Sequence, residues 1–589
     1  MEKKKAKLFS AIALVALALL VVGATYAYFQ NQYGSASNAD VKVTTYTTDV
    51  LTFETGSNIS ITAGQDDFAS GKGNKTGSTF ARATLQANNK TNTATANYYM
   101  YLNIETNTFT YTNTGTPELI LQVVDKTSGN PVTSITGLDY VTITDGKNTS
   151  ISGFDITNKK GLIALFSNKE ISASPKTIEE YTITITLVNH NFDQNINTGK
   201  NLNGKLIIQK EKMITSVSDV AKSGDNLATV LETLGTKGDS SLTGLYHHDA
   251  SLTNGAGDNS YRFAGADPNN YVCFGSDEAT CPTENLYRII GVIDGKVKLI
   301  SADGAITDIL GTDGGYVNTY QAVNEKYSSY YKGNGDLTKI GAYKWNKTRN
   351  NTWSTSITNT TNLNTNYLTY LDSKNAKWKT MIADTTWYVG GMTGTNGYQP
   401  NAKTAYDYEV GANKVAITTV TSKIGLMYVS EYYYGANPDY WTLPGYNSSG
   451  NDYRKATNDN WLYTGLKEWT ISRRSDDSVD AFFVDSDGYV NVGSAAGPYG
   501  RGLRPSFSLS PSIKFTSGEG TKNSPIRIDW LTKSFKKTSV KPSENEVNSS
   551  TYVKRFTLFF LFVIKNDRNI KANNYLSDFS LFNRKVILK

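Results

Sequence analysis

Residues 485–488 read Asp-Ser-Asp-Gly, and carboxylates at alternate positions are how an oxygen-lined calcium loop begins. A full EF-hand loop also needs further oxygen donors and a closing Glu, and the residue at that closing position, counted from Asp485, is Ala496. The same four residues suit a hairpin turn, with AFFV before them and YVNV after. Asp and Gly there supply the positive φ that a tight turn requires. The turn is the preferred reading of Asp485 and Asp487, and calcium the lesser one. No other cofactor is implied.

The chain has three histidines, His190, His247 and His248, and two cysteines, Cys273 and Cys281. Neighbours on a strand point to opposite faces, so His247 and His248 could offer one metal ligand at most. Two thiolates need further Cys or His ligands to hold zinc. Spaced C-x7-C across a Gly/Asp/Pro-containing loop, the cysteines read as a small-loop disulfide of an oxidising compartment. No G-x-S-x-G, HExxH or Walker sequence occurs, and no Cys/His pair has useful spacing. Scattered Asp/Glu pairs that could serve a glycosidase are indistinguishable from surface carboxylates. No catalytic residue is assigned, and an enzyme is not expected.

Aromatic chemistry is more plentiful. Trp441, Trp461 and Trp469 fall close to Tyr432, Tyr433, Tyr434, Tyr440 and Tyr463. Aromatic faces stack on the C–H surfaces of sugars, and they also fill cores, which is the commoner role. Tyr440 and Trp461 lie in polar loop contexts and are the two ligand-binding candidates.

Elements must position these residues. Of 589 residues, 19% are charged and 38 are Tyr, a polar, strand-forming composition that fits an extracellular β-rich protein. The net charge of +6 is concentrated at the ends: residues 531–589 carry +8 and the first seven carry +3, leaving 8–530 at −5. A mildly acidic body argues against nucleic acid as a partner. Residues 1–27 read as a signal peptide, with a KKKAK start, an apolar run and a small-x-small site ending at Ala27. The alternative is an uncleaved N-terminal anchor, the only membrane contact expected.

Residues 28–210 show about nine apolar-alternating runs, among them VKVTTYT, TFARATL, ATANYYMYLNI and EYTITITLV, which predict a β-sandwich. Residues 211–241 form a linker, with Leu227, Val230, Leu231 and Leu234 at helical spacing and Gly235 as the expected cap. Residues 242–530 mix hairpins, LYRIIGVI-DG-KVKLIS above all, with a helix presenting Tyr367, Leu368 and Leu371, and with long aromatic loops. Residues 531–589 hold no Gly, are basic, and read as a poorly ordered tail.

The stretch 242–528 resembles a module of secreted Firmicutes surface proteins. The resemblance rests on NNYVCFG (269–275), NLYRIIGVIDGKVKLI (285–300), TMIADTTWYVGG (380–391), IGLMYVSEYYYGA (424–436), WTISRRS (469–475), and GLRPSFSL followed by SGEGTKNSP. The Gly502-Leu503-Arg504-Pro505 step before a strand is similar to the closing motif of the formylglycine-generating-enzyme and C-type-lectin-like folds. It implies a lectin-like α+β domain over 242–530 in which Gly502, Arg504 and Pro505 are structural. Arg504 would be buried against backbone or carboxylate, and Arg473 would support the same core, with an anionic glycan as the lesser role. The oxidase branch of that fold depends on late cysteines, and this chain has none after Cys281. The ATYAYF ending of the leader and the first β-rich half resemble camelysin and biofilm-fibre proteins, implying an Ig-like sandwich.

The expectation is thus a multidomain, β-rich, extracellular or cell-surface protein. Its leading role is adhesion or recognition of a glycan or extracellular protein. The first alternative is a fibre subunit self-assembling through the sandwich; the second is a glycan-active enzyme.

Overall fold

Strict alternation, as in TFARATLQ, turns one side of a strand to a core and the other to solvent. The protein is described here by a computed structural model covering residues 48–88, 92–394, 400–414, 416–446 and 449–530. The expected signal segment with Ala27, the run VKVTTYT and the tail 531–589 lie outside those residues.

The first half holds β1 (Val50–Thr55), β2 (Ile59–Thr62), β3 (Lys75–Gln86), β4 (Ala94–Asn107), β5 (Leu119–Asp125), β6 (Tyr140–Thr144), β7 (Ser150–Asp155), β8 (Gly161–Ala173), β9 (Lys176–Leu187) and β10 (Asn201–Gln209). They form two antiparallel sheets, ordered β1-β3-β9-β5-β7-β6 and β2-β10-β4-β8. The inward residues of both, including Ala81, Leu85, Leu102, Leu121 and Ile183, share one core. The outward Arg82 of β3 pairs across the sheet with Glu54 of β1 and Glu180 of β9. The sequence reading missed β1 and β7. In β7, Gly153 breaks the apolar pattern, but a Cβ there would come within 2.6 Å of Ile120 and of the Leu121 carbonyl in β5.

The linker helix spans Leu227–Lys237, capped by the Asn226 side chain, which accepts from Thr229 N. It buries Leu227, Val230, Leu231 and Leu234 in the second core. Gly235 does not end it, and the cap falls at Gly238. Instead Gly235 lets the helix approach Tyr261, whose ring would lie 2.4 Å from an added Cβ.

The second half is built on β11 (Leu245–His248), β12 (Ser260–Phe263), β13 (Tyr271–Cys273), β14 (Leu286–Ile293) and β15 (Lys296–Ser301). Two small pairs follow: β16 (Tyr316–Thr319) with β17 (Gly341–Tyr343), and β18 (Thr385–Val389) with β19 (Thr418–Ser422). The remainder are β20 (Glu468–Arg473), β21 (Asp480–Val484), β22 (Val490–Ser494), β23 (Ser506–Ser508), β24 (Lys514–Ser517) and β25 (Arg527–Asp529). The main sheet runs β11-β12-β14-β15-β23, with β13 also on β14. Asp294 and Gly295 both have positive φ, as the tight turn between β14 and β15 demands. The expected helix is Tyr367–Lys374.

The end of this half closes on its beginning, since Ile526 bridges Val272 and Lys514 bridges Asn226. Cys273 and Cys281 form the disulfide. Trp345, Trp353, Trp387, Trp441 and Trp469 are all fully buried in the core. Among the described residues no helix is long and apolar enough to cross a membrane.

Candidate functional site

The turn between β21 and β22 is a tight one: Gly488 N donates to Asp485 O at 2.9 Å, and Asp485 N to Tyr489 O at 2.8 Å. Gly488 sits at φ +93°, which only glycine adopts without strain. Two tyrosines hold the turn from beneath. The Tyr432 hydroxyl donates to Gly488 O at 2.7 Å and the Tyr463 hydroxyl to Ser486 O at 2.5 Å.

The two acids of the turn have different surroundings. Asp485 is buried, which by itself raises its pKa, but the Lys467 ammonium at 2.8 Å and the Ser486 N–H outweigh burial and hold it below the usual carboxylate range. Asp487 is raised, by burial first and by the Asp485 charge second. Its Oδ1 is buried without a hydrogen-bond partner among the described residues. Lys467 therefore takes the Asp485 carboxylate that a calcium ion would need. Among the described residues no group of three or more His, Cys, Asp or Glu side chains could hold a metal.

Around this turn lies a tyrosine-rich face. The Lys467 ammonium sits 3.9 Å from the Tyr327 ring centroid, and the Lys332 ammonium 5.0 Å from that of Tyr463. The half-buried rings of Tyr446 and Tyr489 are 4.7 Å apart, with the Arg454 guanidinium over both. Tyr330 is 44% exposed and Tyr499 69%. Rings that present a face beside charged hydrogen-bonding groups can stack on a sugar or an extended peptide while the charges orient it. The sequence reading did not single out Tyr327, Tyr330, Arg454, Lys467 or Tyr489. The density of tyrosines in KYSSYY (326–331) was the available signal.

The two ligand candidates fare differently. Tyr440 closes the turn Pro438–Tyr440, is half-buried, and donates to Asp459 Oδ2 at 3.2 Å. Asn458, the residue before Asp459, accepts from Lys332 of the tyrosine face. Trp461 is not offered to a ligand. It is 5% exposed, its Nε1 donates to Phe263 O at 2.9 Å, and the Arg288 guanidinium covers its ring at 4.7 Å. Its polar sequence neighbours are loop residues, while the ring itself packs inward.

Arg473, Arg474, Arg501 and Arg504, close in sequence, separate in the structure. Arg504 is buried, with Nε 2.6 Å and Nη2 2.7 Å from the Glu468 carboxylate and Nη2 also on Leu462 O. Gly502 N donates to Lys467 O, and Pro505 O accepts from Ser301 N, so the Gly502–Pro505 step ties β20 to β15. Arg501 stacks between Trp469 and Phe483, and burial lowers its pKa to about 10. Arg474 pairs with Asp476 and Asp480. Arg473 does not join the Arg504 core. It ends β20 at the surface, because its side chain turns outward after the buried Ser472.

His247 stacks on Tyr261, and buried His248 accepts from Ala256 N through Nδ1. Comparison with protein-family models and with curated proteins returns no match to this chain.

Proposed function

We propose that this chain is an exported surface protein whose second half, 242–530, is a lectin-like recognition head for a glycan or an extracellular protein. An Ig-like sandwich over 28–210 would carry that head. The observation that carries this reading is the tyrosine face around the Asp485–Gly488 turn, where Tyr327 lies beside Lys467 and Tyr446 and Tyr489 lie beside Arg454, with the exposed Tyr330 three residues on from Tyr327. The Cys273–Cys281 disulfide is consistent with an oxidising location. The lectin-like assignment draws on the Gly502–Pro505 step leading into β23 on the central sheet. The test is a glycan and extracellular-matrix array probed with the purified protein, with and without calcium. Saturable binding lost in Tyr330→Ala or Tyr489→Ala, with stability unchanged, supports the reading. A blank array, or binding that both variants retain, removes this face from consideration.

One observation favours the fibre-subunit alternative. Among the described residues β8, thirteen residues long, lies at the edge of its sheet with one side unpaired. Open edges accept a further strand from another chain. Concentration-dependent assembly in sedimentation velocity, abolished by a proline within β8, would favour that role.

A further inference from the structure

Away from the tyrosine face, and sharing no residue with it, a cleft of about 510 Å³ opens between the end of β20, the loop that follows it and β19. The described residues that line it are all polar, among them Thr352, Thr418, Arg473, Ser475, Asp477 and Ser478. The loop is held in place from within. The Asn351 amide donates to the carbonyls of Arg474, Asp477 and Asp480 at 3.2, 2.8 and 2.8 Å. Asp477 Oδ1 accepts from Val479 N and Asp480 N.

Among the described residues, Arg473 in this cleft is a cation without a counter-ion. Its guanidinium donates only to main-chain carbonyls, Arg474 O at 3.1 Å and Ala416 O at 3.0 Å, and among the described residues it makes no ion pair. The nearest acids are engaged elsewhere. Asp476 accepts from Arg474 and from Gly394 N, Asp480 pairs with Arg474, and Asp477 serves the turn. Burial lowers the pKa of Arg473, and no neighbouring charge acts to restore it. Arginine has five N–H donors, so donors remain after two carbonyls are served. Beside it, Ser475 Oγ is buried and among the described residues has no hydrogen-bond partner.

A half-desolvated guanidinium with spare donors favours an oxyanion, above all a carboxylate, which matches its planar fork. The hydroxyl and carboxylate lining, with no apolar side chain among the described residues, suits a ligand that is itself covered in hydroxyls. We infer that this cleft binds a carboxylate-bearing sugar unit, with Arg473 holding the carboxylate and Ser475, Thr352 and Ser478 meeting the hydroxyls.

The test is calorimetric or NMR titration of the full chain with methyl glucuronide, methyl glucoside and acetate. The glucuronide is expected to bind saturably in the millimolar range, with the glucoside and acetate each weaker by roughly tenfold or more. Arg473→Gln should weaken glucuronide binding by roughly tenfold, and Arg473→Lys by less, because it keeps charge but loses the fork. Ser478→Trp, at an exposed rim position, should block the cleft without touching Arg473 and without lowering the Tm. Equal binding of glucoside and glucuronide would overturn the role of Arg473, and equal binding of acetate would overturn the sugar. Absence of saturable glucuronide binding, or its survival in both Arg473→Gln and Ser478→Trp, would overturn the site itself.

Discussion

Arg504 and Glu468 face each other through two hydrogen bonds of 2.6 and 2.7 Å, and their side chains are only 2% and 1% exposed. β20, β21 and β22 form a three-stranded sheet; Glu468 begins β20 and Arg504 immediately precedes Pro505 and β23, so this pair ties that sheet to the central one. Its net contribution against an apolar pair is small, but removing one partner strands a buried charge. Arg504→Met should therefore destabilise the protein by about 3–5 kcal/mol in urea unfolding. Glu468→Met together with Arg504→Met should cost clearly less than the sum of the two single changes. Strict additivity would show that the two charges do not interact.

Glu409 should give the protein an inverted pH response. Burial raises its pKa to about 7, although Val429 N, Ser430 N and the Ser472 hydroxyl all donate to its carboxylate. The folded state thus binds this proton more tightly than the unfolded chain does. Its stabilisation is complete below the unfolded value near 4.5 and is lost as pH rises towards 7, on the order of 3 kcal/mol in all. Buried His248 acts oppositely: burial lowers its pKa, and it withdraws stability as pH falls through its ordinary 6.5. The difference between the parent protein and Glu409→Gln isolates the first effect. That difference should shift in favour of the parent from pH 7 to pH 4.5; a flat difference would show that Glu409 does not titrate in this window.

Trp461 and Tyr330 should separate stability from recognition. Trp461→Ala removes a buried ring and leaves the Phe263 carbonyl without its donor, for about 3–5 kcal/mol. Tyr330→Ala removes an exposed ring and should stay within about 0.5 kcal/mol of the parent. Thermal unfolding of both variants checks this, and a large loss in Tyr330→Ala would place that ring in the core.

The disulfide closes a short loop, with Cys273 and Cys281 eight positions apart. Replacing both by Ala should cost about 2–3 kcal/mol through the freedom returned to the unfolded chain. Because β13 ends at Cys273 and lies beside Ile526, hydrogen exchange should rise first along 271–273 and 526–528. Uniform exchange across residues 242–530 would show that the loop does not support that contact.

Several features were legible because their causes are local. The Asp294-Gly295 and Asp485–Gly488 hairpins follow from residues that tolerate positive φ between strand-forming runs. The sandwich strands follow from alternation, and the Leu227–Lys237 helix from apolar residues three and four apart. A close cysteine pair flanking a turn was enough to suggest the disulfide. Other features depended on partners distant in sequence. Gly235 looks like a helix end until Tyr261 packs against it. Trp461 sits among polar neighbours in sequence, yet its partner is Phe263, 198 positions away. Arg473 and Arg504 are alike as residues, but the Glu468 carboxylate reaches only Arg504. Backbone propensity and turn chemistry act over a few residues and so can be read along the chain. Whether a ring or a charge faces core or solvent is set by which distant segments pack over it, and that was decided only by the tertiary structure.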